Sequence, residues 1–210
     1  MISIAADYAR AVAYLDRRRL PAYVSFVEQA SAHGVGGSRE APRRIYVRMS
    51  DGAIVSGVPS ANVHVIDTTN GDSDNPFRDH GVFEPDCYVP KTEEPTRWGA
   101  RQALRFDLQA VCAKATGINE LYVDPNTLRP IAAVGTVKDN SGDSNMTTAM
   151  TTALEVRYRT VDQYTVPSSI RAHAVGHGWL FWARERAEVD YTNYRFYQTA
   201  EIMRRQASIP

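Results

Sequence analysis

Apolar residues recur near the N-terminus at about 3.6 residues, the period of an α-helix. Within residues 2–18 these apolar positions are Ile2, Ala5, Ala9, Val12, Ala13 and Leu15. Arginine and aspartate side chains fall on the opposite side, so the pattern predicts an amphipathic helix. We expect the helix to end at Leu20 and Pro21, because a proline disfavours helical geometry in the residue before it.

Beyond Pro21 the pattern changes to the period of two that is typical of β-strands with one buried face. Ile45, Val47 and Met49, for example, alternate with polar residues. Turn-forming residues separate such segments, at 50–52 and again at 124–127. The predicted strands are residues 23–27, 43–49, 53–56, 62–67, 119–123, 128–137, 151–161, 166–175, 178–184 and 188–197.

Four further segments have less regular patterns. Residues 103–115 alternate in a way that suits a strand, although their alanine content also suits a helix, and we interpret them as a strand. The polar runs 68–76 and 138–144 predict surface loops. Residues 77–98 contain Pro85, Pro90 and Pro95, which predict that this segment lacks long regular structure.

Strands that follow one another through short turns, with almost no helix between them, exclude a parallel doubly wound sheet. The predicted fold class is therefore mainly β (α+β), with one antiparallel sheet in a single domain over residues 1–210. We expect the N-terminal helix to pack on the apolar face of that sheet. The tail, residues 199–210, is expected to fray or to form a brief helix.

Charge and cysteine content narrow the functional classes. The 24 basic and 24 acidic residues give a formal net charge of zero, so the overall charge does not predict binding to nucleic acid. No apolar run approaches the roughly 20 residues of a membrane span, and the N-terminus lacks the pattern of a signal peptide. Cys87 and Cys112 permit one disulfide in an oxidising compartment, or two unrelated buried thiols, and the sequence leaves both possibilities open.

Four segments of the C-terminal half resemble the superfamily of the periplasmic lipoprotein carrier LolA. They are residues 121–128 (LYVDPNTL), 152–158 (TALEVRY), 166–170 (VPSSI) and 189–196 (VDYTNYRF). It is their order and spacing, rather than any single motif, that carries the resemblance. The match covers about the last 90 residues and, more loosely, the N-terminal helix and first hairpin.

This resemblance implies a curved antiparallel sheet, an unclosed half-barrel, with the N-terminal helix packed on its concave side and a hydrophobic cavity between them. It further implies an exported, extracytoplasmic protein that carries or senses a lipid-like or acyl ligand, with peripheral contact to a membrane or a lipoprotein. The proline-rich segment 68–98 departs from the family, whose carriers often place lid helices there. Whether it acts as a lid is left open.

Aromatic residues are concentrated in the last two predicted strands, and they are the candidate ligand-binding residues. Period two places Trp179 and Phe181 on one face, and likewise Tyr194 and Phe196, with Tyr191 nearby. These rings either fill a plain core or form the wall of an apolar pocket. The two interpretations differ in whether protein or ligand occupies the concave space.

The alternative to a carrier is a hydrolase or metal-assisted enzyme that uses His173 or His177 with an acidic partner. On one strand their Cα atoms would lie about 13 Å apart, too far for one metal ion without a bend at Gly176. A second group could hold a hard cation such as calcium, although a solvated loop is the favoured interpretation: Asp67, Asp72, Asp74, Asp79 and His80. No familiar catalytic or cofactor motif occurs, so we predict no cofactor.

Three hypotheses therefore remain from the sequence. The favoured one is a non-catalytic carrier or sensor with an apolar ligand in the concave face of the sheet. The second is the histidine-dependent enzyme. The third is a protein-interaction module whose core is filled and whose sheet edge is exposed.

Overall fold

The computed structural model describes residues 3–34, 37–56, 64–65, 77, 83–113, 115–139, 149–177 and 182–207. These ranges contain two helices and twelve strands. In chain order they are α1 (Ile4–Val12), β1 (Tyr23–His33), β2 (Ser38–Arg39), β3 (Arg43–Arg48), β4 (Ala53–Ser56), β5 (His64–Val65), β6 (Tyr88–Trp98), β7 (Arg101–Ala110), β8 (Ile118–Val123), β9 (Pro130–Asp139), β10 (Ala149–Val161), β11 (Tyr164–His177), β12 (Trp182–Tyr197) and α2 (Ala200–Ala207).

The strands form one curved antiparallel sheet in the order β5-β4-β3-β1-β12-β11-β10-β9-β8-β7-β6, with β2 paired to β1. The first and last long strands are neighbours, since Val24 lies opposite Phe196 and Ala32 opposite Ala187. The two ends of the order, β5 and β6, do not meet, so the sheet is an unclosed half-barrel. This confirms the predicted fold class.

The inner face of the sheet is the concave one that carries α1. Tyr8 and Ala11 of α1 are buried against it, and the Tyr8 ring meets the Phe106 ring edge-on at 5.8 Å between centroids. The Tyr8 hydroxyl donates a hydrogen bond to the carbonyl oxygen of Pro85 at 3.0 Å. The helix is thus held by apolar burial and by one polar tether, as an amphipathic helix on a sheet requires. Its sheet partners include Phe106, Leu121, Val123, Ala133 and Val156.

A second cluster fills the inner face around β1, β3 and β12. Phe26 is fully buried at its centre, and its ring lies 5.4 Å from that of Tyr191. Among the described residues, the opposite, outer face has a packed cluster at one end, where Met203 of α2 packs with Val55 and Tyr197. Within the described residues, no helix is long and apolar enough to cross a bilayer.

The N-terminal helix is shorter than predicted. It ends as an α-helix at Val12 and continues as 3-10 turns at Ala13–Leu15 and Arg17–Arg19. Asp16 separates the two turns in an extended conformation, and its carboxylate accepts a hydrogen bond from the backbone N–H of Arg18. Such a local side-chain bond competes with the helical backbone pattern, which explains the break at Asp16.

The expectation that residues 77–98 lack long regular structure was wrong for β6. This strand runs for 11 residues and includes Pro90 and Pro95. It is an end strand that pairs only with β7 among the described strands, and its register shifts between Pro90 and Thr92. Prolines are tolerated in such a strand because one side of it needs no hydrogen-bond donors.

The two predicted strands 178–184 and 188–197 are also revised, because β12 runs without a break from Trp182 to Tyr197. Residues 184–186, at the predicted gap, all pair with β11, and Arg186 pairs with β1 as well. They extend beyond the packed core, where an exposed strand accepts charged residues. Residues 178–181 lie outside the described residues.

Other segments agree more closely with the elements predicted from the sequence. Residues 101–110 form a strand, as preferred over a helix, and the tail forms the short helix α2. Of the predicted strand 62–67 only His64–Val65 is described. The predicted loop 68–76 lies outside the described residues, and the first two residues of the loop 138–144 belong to β9.

The two cysteines form a disulfide. Cys87 and Cys112 are joined with their Cα atoms 5.0 Å apart. The bond ties the turn before β6 to the segment after β7, and Cys87 is almost fully buried in the α1 cluster. The possibility of two unrelated thiols is therefore excluded.

Candidate functional site

The inner face carries small side chains at one end, which we call the alanine groove. Alternation places Ala32 of β1, Ala172 and Ala174 of β11 and Ala187 of β12 on this face. Ala187 lies opposite both Ala32 and Ala172 in the register. The cavity over these residues has a volume of about 350 Å³ and is lined by Ala32, His33, Gly34, Gly37, Ala172, Ala174, Glu185, Arg186 and Ala187.

The groove exists because four methyl groups occupy positions where larger side chains fill the rest of the inner face. A glycine also shapes its rim, since a Cβ added at Gly37 would lie 2.9 Å from the carbonyl oxygen of Ala32. Only glycine permits this close approach of the chain to β1. The space is therefore a consequence of the sequence at these positions.

Apolar surface continues from the groove along β11. Ile170 shares the inner face with Ala172 and Ala174, and these three positions span about 13 Å at ~3.3 Å per residue. Ile170 also borders a small void of about 70 Å³ beneath the segment that follows α1, together with Val156 and Leu15. The inner face thus offers an elongated apolar strip rather than an isolated cleft.

The described aromatic candidates lie farther along β12, in the packed second cluster. Tyr191 is fully buried, Tyr194 is 8% exposed and Phe196 is half-buried. The Tyr194 hydroxyl donates to the carbonyl oxygen of Pro167 at 2.7 Å, and burial raises the pKa of Tyr194 well above its ordinary value. These three rings are brought together with Phe26 and Phe77. Their role as a ligand wall stays a prediction, and Trp179 and Phe181 lie outside the described residues.

A buried ion pair stands beside the apolar strip. Glu28 is 3% exposed, and its Oε1 atom lies 2.8 Å from the guanidinium of Arg43. On β1 the order along the inner face is Glu28, Ala30, Ala32, so the carboxylate is two positions from the groove. Burying a charge is costly unless it is paired, and Arg43 supplies that pairing.

Of the two alternative catalytic histidines only His173 has a described side chain, and it lines an outer depression that Glu120 and Glu155 also line. His173 is exposed on the outer face, in register with Arg186. The side chain of His177 is not among those described. No group of three or more His, Cys, Asp or Glu within the described residues could hold a metal ion. The acidic group that was weighed as a cation site and interpreted as a solvated loop lies outside the described residues, namely Asp67, Asp72, Asp74, Asp79 and His80.

The outer face is polar, and much of its charge is paired across strands. Arg171 donates from Nε to Glu188 at 2.6 Å, and Arg186 contacts the same carboxylate at 3.3 Å. Glu155 and Arg157 form a further ion pair. A shallow outer depression of about 640 Å³ is bordered by these charged strands. The two faces of the sheet therefore differ in chemistry, the inner one being apolar and the outer one ionic.

The alanine groove was missed in the sequence, although a signal was present. Residues 171–174 read Arg-Ala-His-Ala, with alanine on one face of a strand and basic residues on the other. A search for period two among small residues, as well as among large apolar ones, finds this pattern.

Comparison with solved structures gives three similar chains. A LolA superfamily protein from Nitrosomonas europaea is 12% identical, with a TM-score of 0.48 and coverage of 97% of each chain. A domain from Vibrio parahaemolyticus, provisionally assigned to outer-membrane lipoprotein sorting, is 10% identical with a TM-score of 0.47, covering 95% of this chain and 96% of that one. A DUF1329 family protein from Desulfovibrio piger is 12% identical with a TM-score of 0.47, covering 96% and 99%.

The superfamily that the sequence segments resemble is thus represented among the similar structures. No family model and no curated protein matches the chain. At these TM-scores and identities the likenesses do not indicate a ligand or an activity for this chain.

Proposed function

We propose that the protein is a non-catalytic carrier or sensor that binds a lipid-like, acyl-bearing ligand in the alanine groove. The observation that carries the proposal is the row of alanines on β1, β11 and β12, which leaves about 350 Å³ on the inner face. Concave apolar space with a few polar groups at its border is the usual form of a small-molecule site. Here the bordering polar groups are His33, Glu185 and Arg186.

The shape of the apolar surface favours a chain-like ligand over a compact one. The strip from Ile170 to Ala174 is about 13 Å long at ~3.3 Å per residue, and it follows the direction of β11. An acyl chain laid along it would replace water on the methyl groups of the strip. Each buried methylene contributes about 0.8 kcal/mol, which is roughly a four-fold gain in affinity.

The disulfide supports an extracytoplasmic location for this carrier. Cys87 and Cys112 are bonded, and structural disulfides persist in oxidising compartments such as the periplasm. In such a compartment an acyl ligand needs shelter from water between membranes. The proposed domain, residues 1–210, would supply that shelter in one half-barrel.

The test is displacement of a fluorescent fatty acid by unlabelled fatty acids of increasing length. We expect affinity to rise with each added methylene until the strip is covered. Ala187→Phe places a ring at the centre of the groove and should weaken binding at least ten-fold. Its matched control is Ala153→Phe, because Ala153 is exposed on the outer face of the neighbouring strand β10.

Two results would contradict the proposal. One is an affinity that does not depend on chain length. The other is an Ala187→Phe protein that is folded, as judged by its circular dichroism, and binds as tightly as the native chain and the Ala153→Phe control.

A further inference from the structure

Three arginines line one cavity at the end of the sheet where β8 turns into β9, and we call them the arginine cluster. They are Arg101 at the start of β7, Arg129 just before β9 and Arg159 near the end of β10. The cavity has a volume of about 490 Å³. It is remote from the alanine groove, because Leu154, opposite Ala172 of the groove, lies about 20 Å from the end of β10 at ~3.3 Å per residue.

The guanidinium of Arg129 is held in place by neutral groups. Its Nη1 atom donates to Thr160 Oγ1 at 3.3 Å and to the carbonyl oxygen of Gln163 at 3.2 Å. The guanidinium also lies 4.9 Å from the centre of the Tyr14 ring. These contacts position the fork of Arg129 without neutralising its charge, and its Nε and Nη2 atoms have no partner in the described ranges.

The other two arginines likewise form no ion pair with any described carboxylate. The guanidinium of Arg159 lies 5.4 Å from the centre of the Tyr194 ring, and its Nε atom is buried with no hydrogen-bond partner among the described residues. A buried donor of a charged group without an acceptor is costly and calls for an explanation. An anion in the cavity that Arg159 lines would supply the acceptor. Arg101 is exposed and adds a third guanidinium to the same cavity.

The charges around the cavity do not balance. Asp124 is the one acidic residue among the described residues that line it. Backbone N–H groups of Thr127 and Asn126 donate to its Oδ1 atom, and these bonds hold the pKa of Asp124 below its ordinary value. The carboxylate is therefore ionised at neutral pH, and three guanidiniums against one carboxylate leave an excess of two positive charges.

We propose that the arginine cluster binds the phosphate group of a phosphate monoester. Such a group carries about −1.5 to −2 charges at pH 7 and offers three acceptor oxygens on one phosphorus atom. Arginine suits these oxygens because its planar fork donates two parallel hydrogen bonds. A cavity of about 490 Å³ also leaves room for an organic group beside the phosphate. The site is separate from the alanine groove, so this proposal does not rest on the acyl carrier.

The test is isothermal titration calorimetry of the native protein with glycerol 3-phosphate and, for comparison, with succinate. We expect saturable binding of glycerol 3-phosphate and at least about ten-fold weaker binding of succinate, whose two charges lie on separate carbon atoms. Dihexanoyl phosphatidic acid presents the same phosphate on a soluble lipid. Tighter binding of this lipid than of glycerol 3-phosphate identifies a lipid headgroup as the source of the phosphate, and equal binding identifies a soluble ester.

Arg101→Gln removes one guanidinium from the cavity. It should weaken the binding of glycerol 3-phosphate at least about ten-fold, the loss expected for one hydrogen bond between charged groups. The side chain of Arg101 is exposed and makes no hydrogen bond with described residues, so the melting temperature should not change. The matched control is Arg195→Gln, which removes an exposed arginine of β12 that does not line the cavity and should bind as the native protein does.

Three results would overturn the proposal. They are an absence of saturable binding of glycerol 3-phosphate, succinate binding as tight as that of the phosphate, and equal affinities of Arg101→Gln and Arg195→Gln. Ala187→Phe fills the alanine groove and should leave phosphate binding unchanged. Failure of the arginine cluster as a phosphate site and failure of the proposed carrier are therefore distinguishable.

Discussion

Removal of the Cys87–Cys112 disulfide should destabilise the fold by an amount that follows from the loop that the bond closes. The two residues are separated by 25 positions. For a loop of this length, the loss of chain entropy in the unfolded state corresponds to about 3.5 kcal/mol. For a chain of about 200 residues this lowers the melting temperature by roughly 7–14 °C.

The perturbation is the double variant Cys87→Ala/Cys112→Ala, because Cys87 is buried in apolar surroundings that an alanine tolerates. Thermal unfolding followed by circular dichroism gives the shift in melting temperature, and urea unfolding gives the free energy. Addition of a reductant to the native protein should reproduce the shift, and the same reductant should leave the double variant unchanged.

The loss should also loosen α1. The turn that contains Cys87 includes Pro85, whose carbonyl oxygen accepts the hydrogen bond of Tyr8. Amide hydrogen exchange in Ile4–Val12 should accordingly become faster in the double variant. A change in unfolding free energy below about 1 kcal/mol would refute the argument from loop closure.

Two further predictions concern polar groups within the fold. Tyr194→Phe removes the donor to the buried carbonyl of Pro167 and should lower the free energy of unfolding by about 1–3 kcal/mol in urea titrations; an unchanged midpoint would contradict this. Backbone N–H groups of Thr127 and Asn126, with the Thr127 hydroxyl, lower the pKa of Asp124. Because this pKa is lower in the folded than in the unfolded state, the carboxylate stabilises the fold above about pH 4, and that stability is lost as the pH falls through the folded-state pKa. The free energy of unfolding of Asp124→Asn should therefore fall less steeply with decreasing pH than that of the native protein. Equal pH dependence in both proteins would contradict this.

Alternation of apolar residues predicted most of the sheet because one face of each strand packs and the other is solvated. Residues 151–161 illustrate this, since Val156 enters the core while Glu155 and Arg157 pair outside. The strand β6 was missed because prolines are excluded from central strands but tolerated in end strands. That β6 lies at the end of the sheet is a property of the whole fold and cannot be read from the segment itself.

The site was less accessible to prediction than the fold. The aromatic residues suggested a ligand wall from the sequence; Tyr191 and Tyr194 lie in a packed cluster with Phe26, and their role as a wall stays a prediction. A single alanine in a sequence gives little indication of a binding site. The groove forms only where Ala32, Ala172 and Ala187 come into register across three strands. Likewise, the pairing of Cys87 with Cys112 depends on β6 and β7 being neighbours.

Site-resolved binding to the groove tests the central claim most directly. Methyl resonances of alanine, recorded by NMR during titration with a long-chain fatty acid, report on the groove and on the outer face in one experiment. We predict shifts at Ala32, Ala172, Ala174 and Ala187, which line the groove, and none at Ala153. Shifts at Ala153 without shifts at the groove alanines, or no shifts at all, would contradict the proposed carrier.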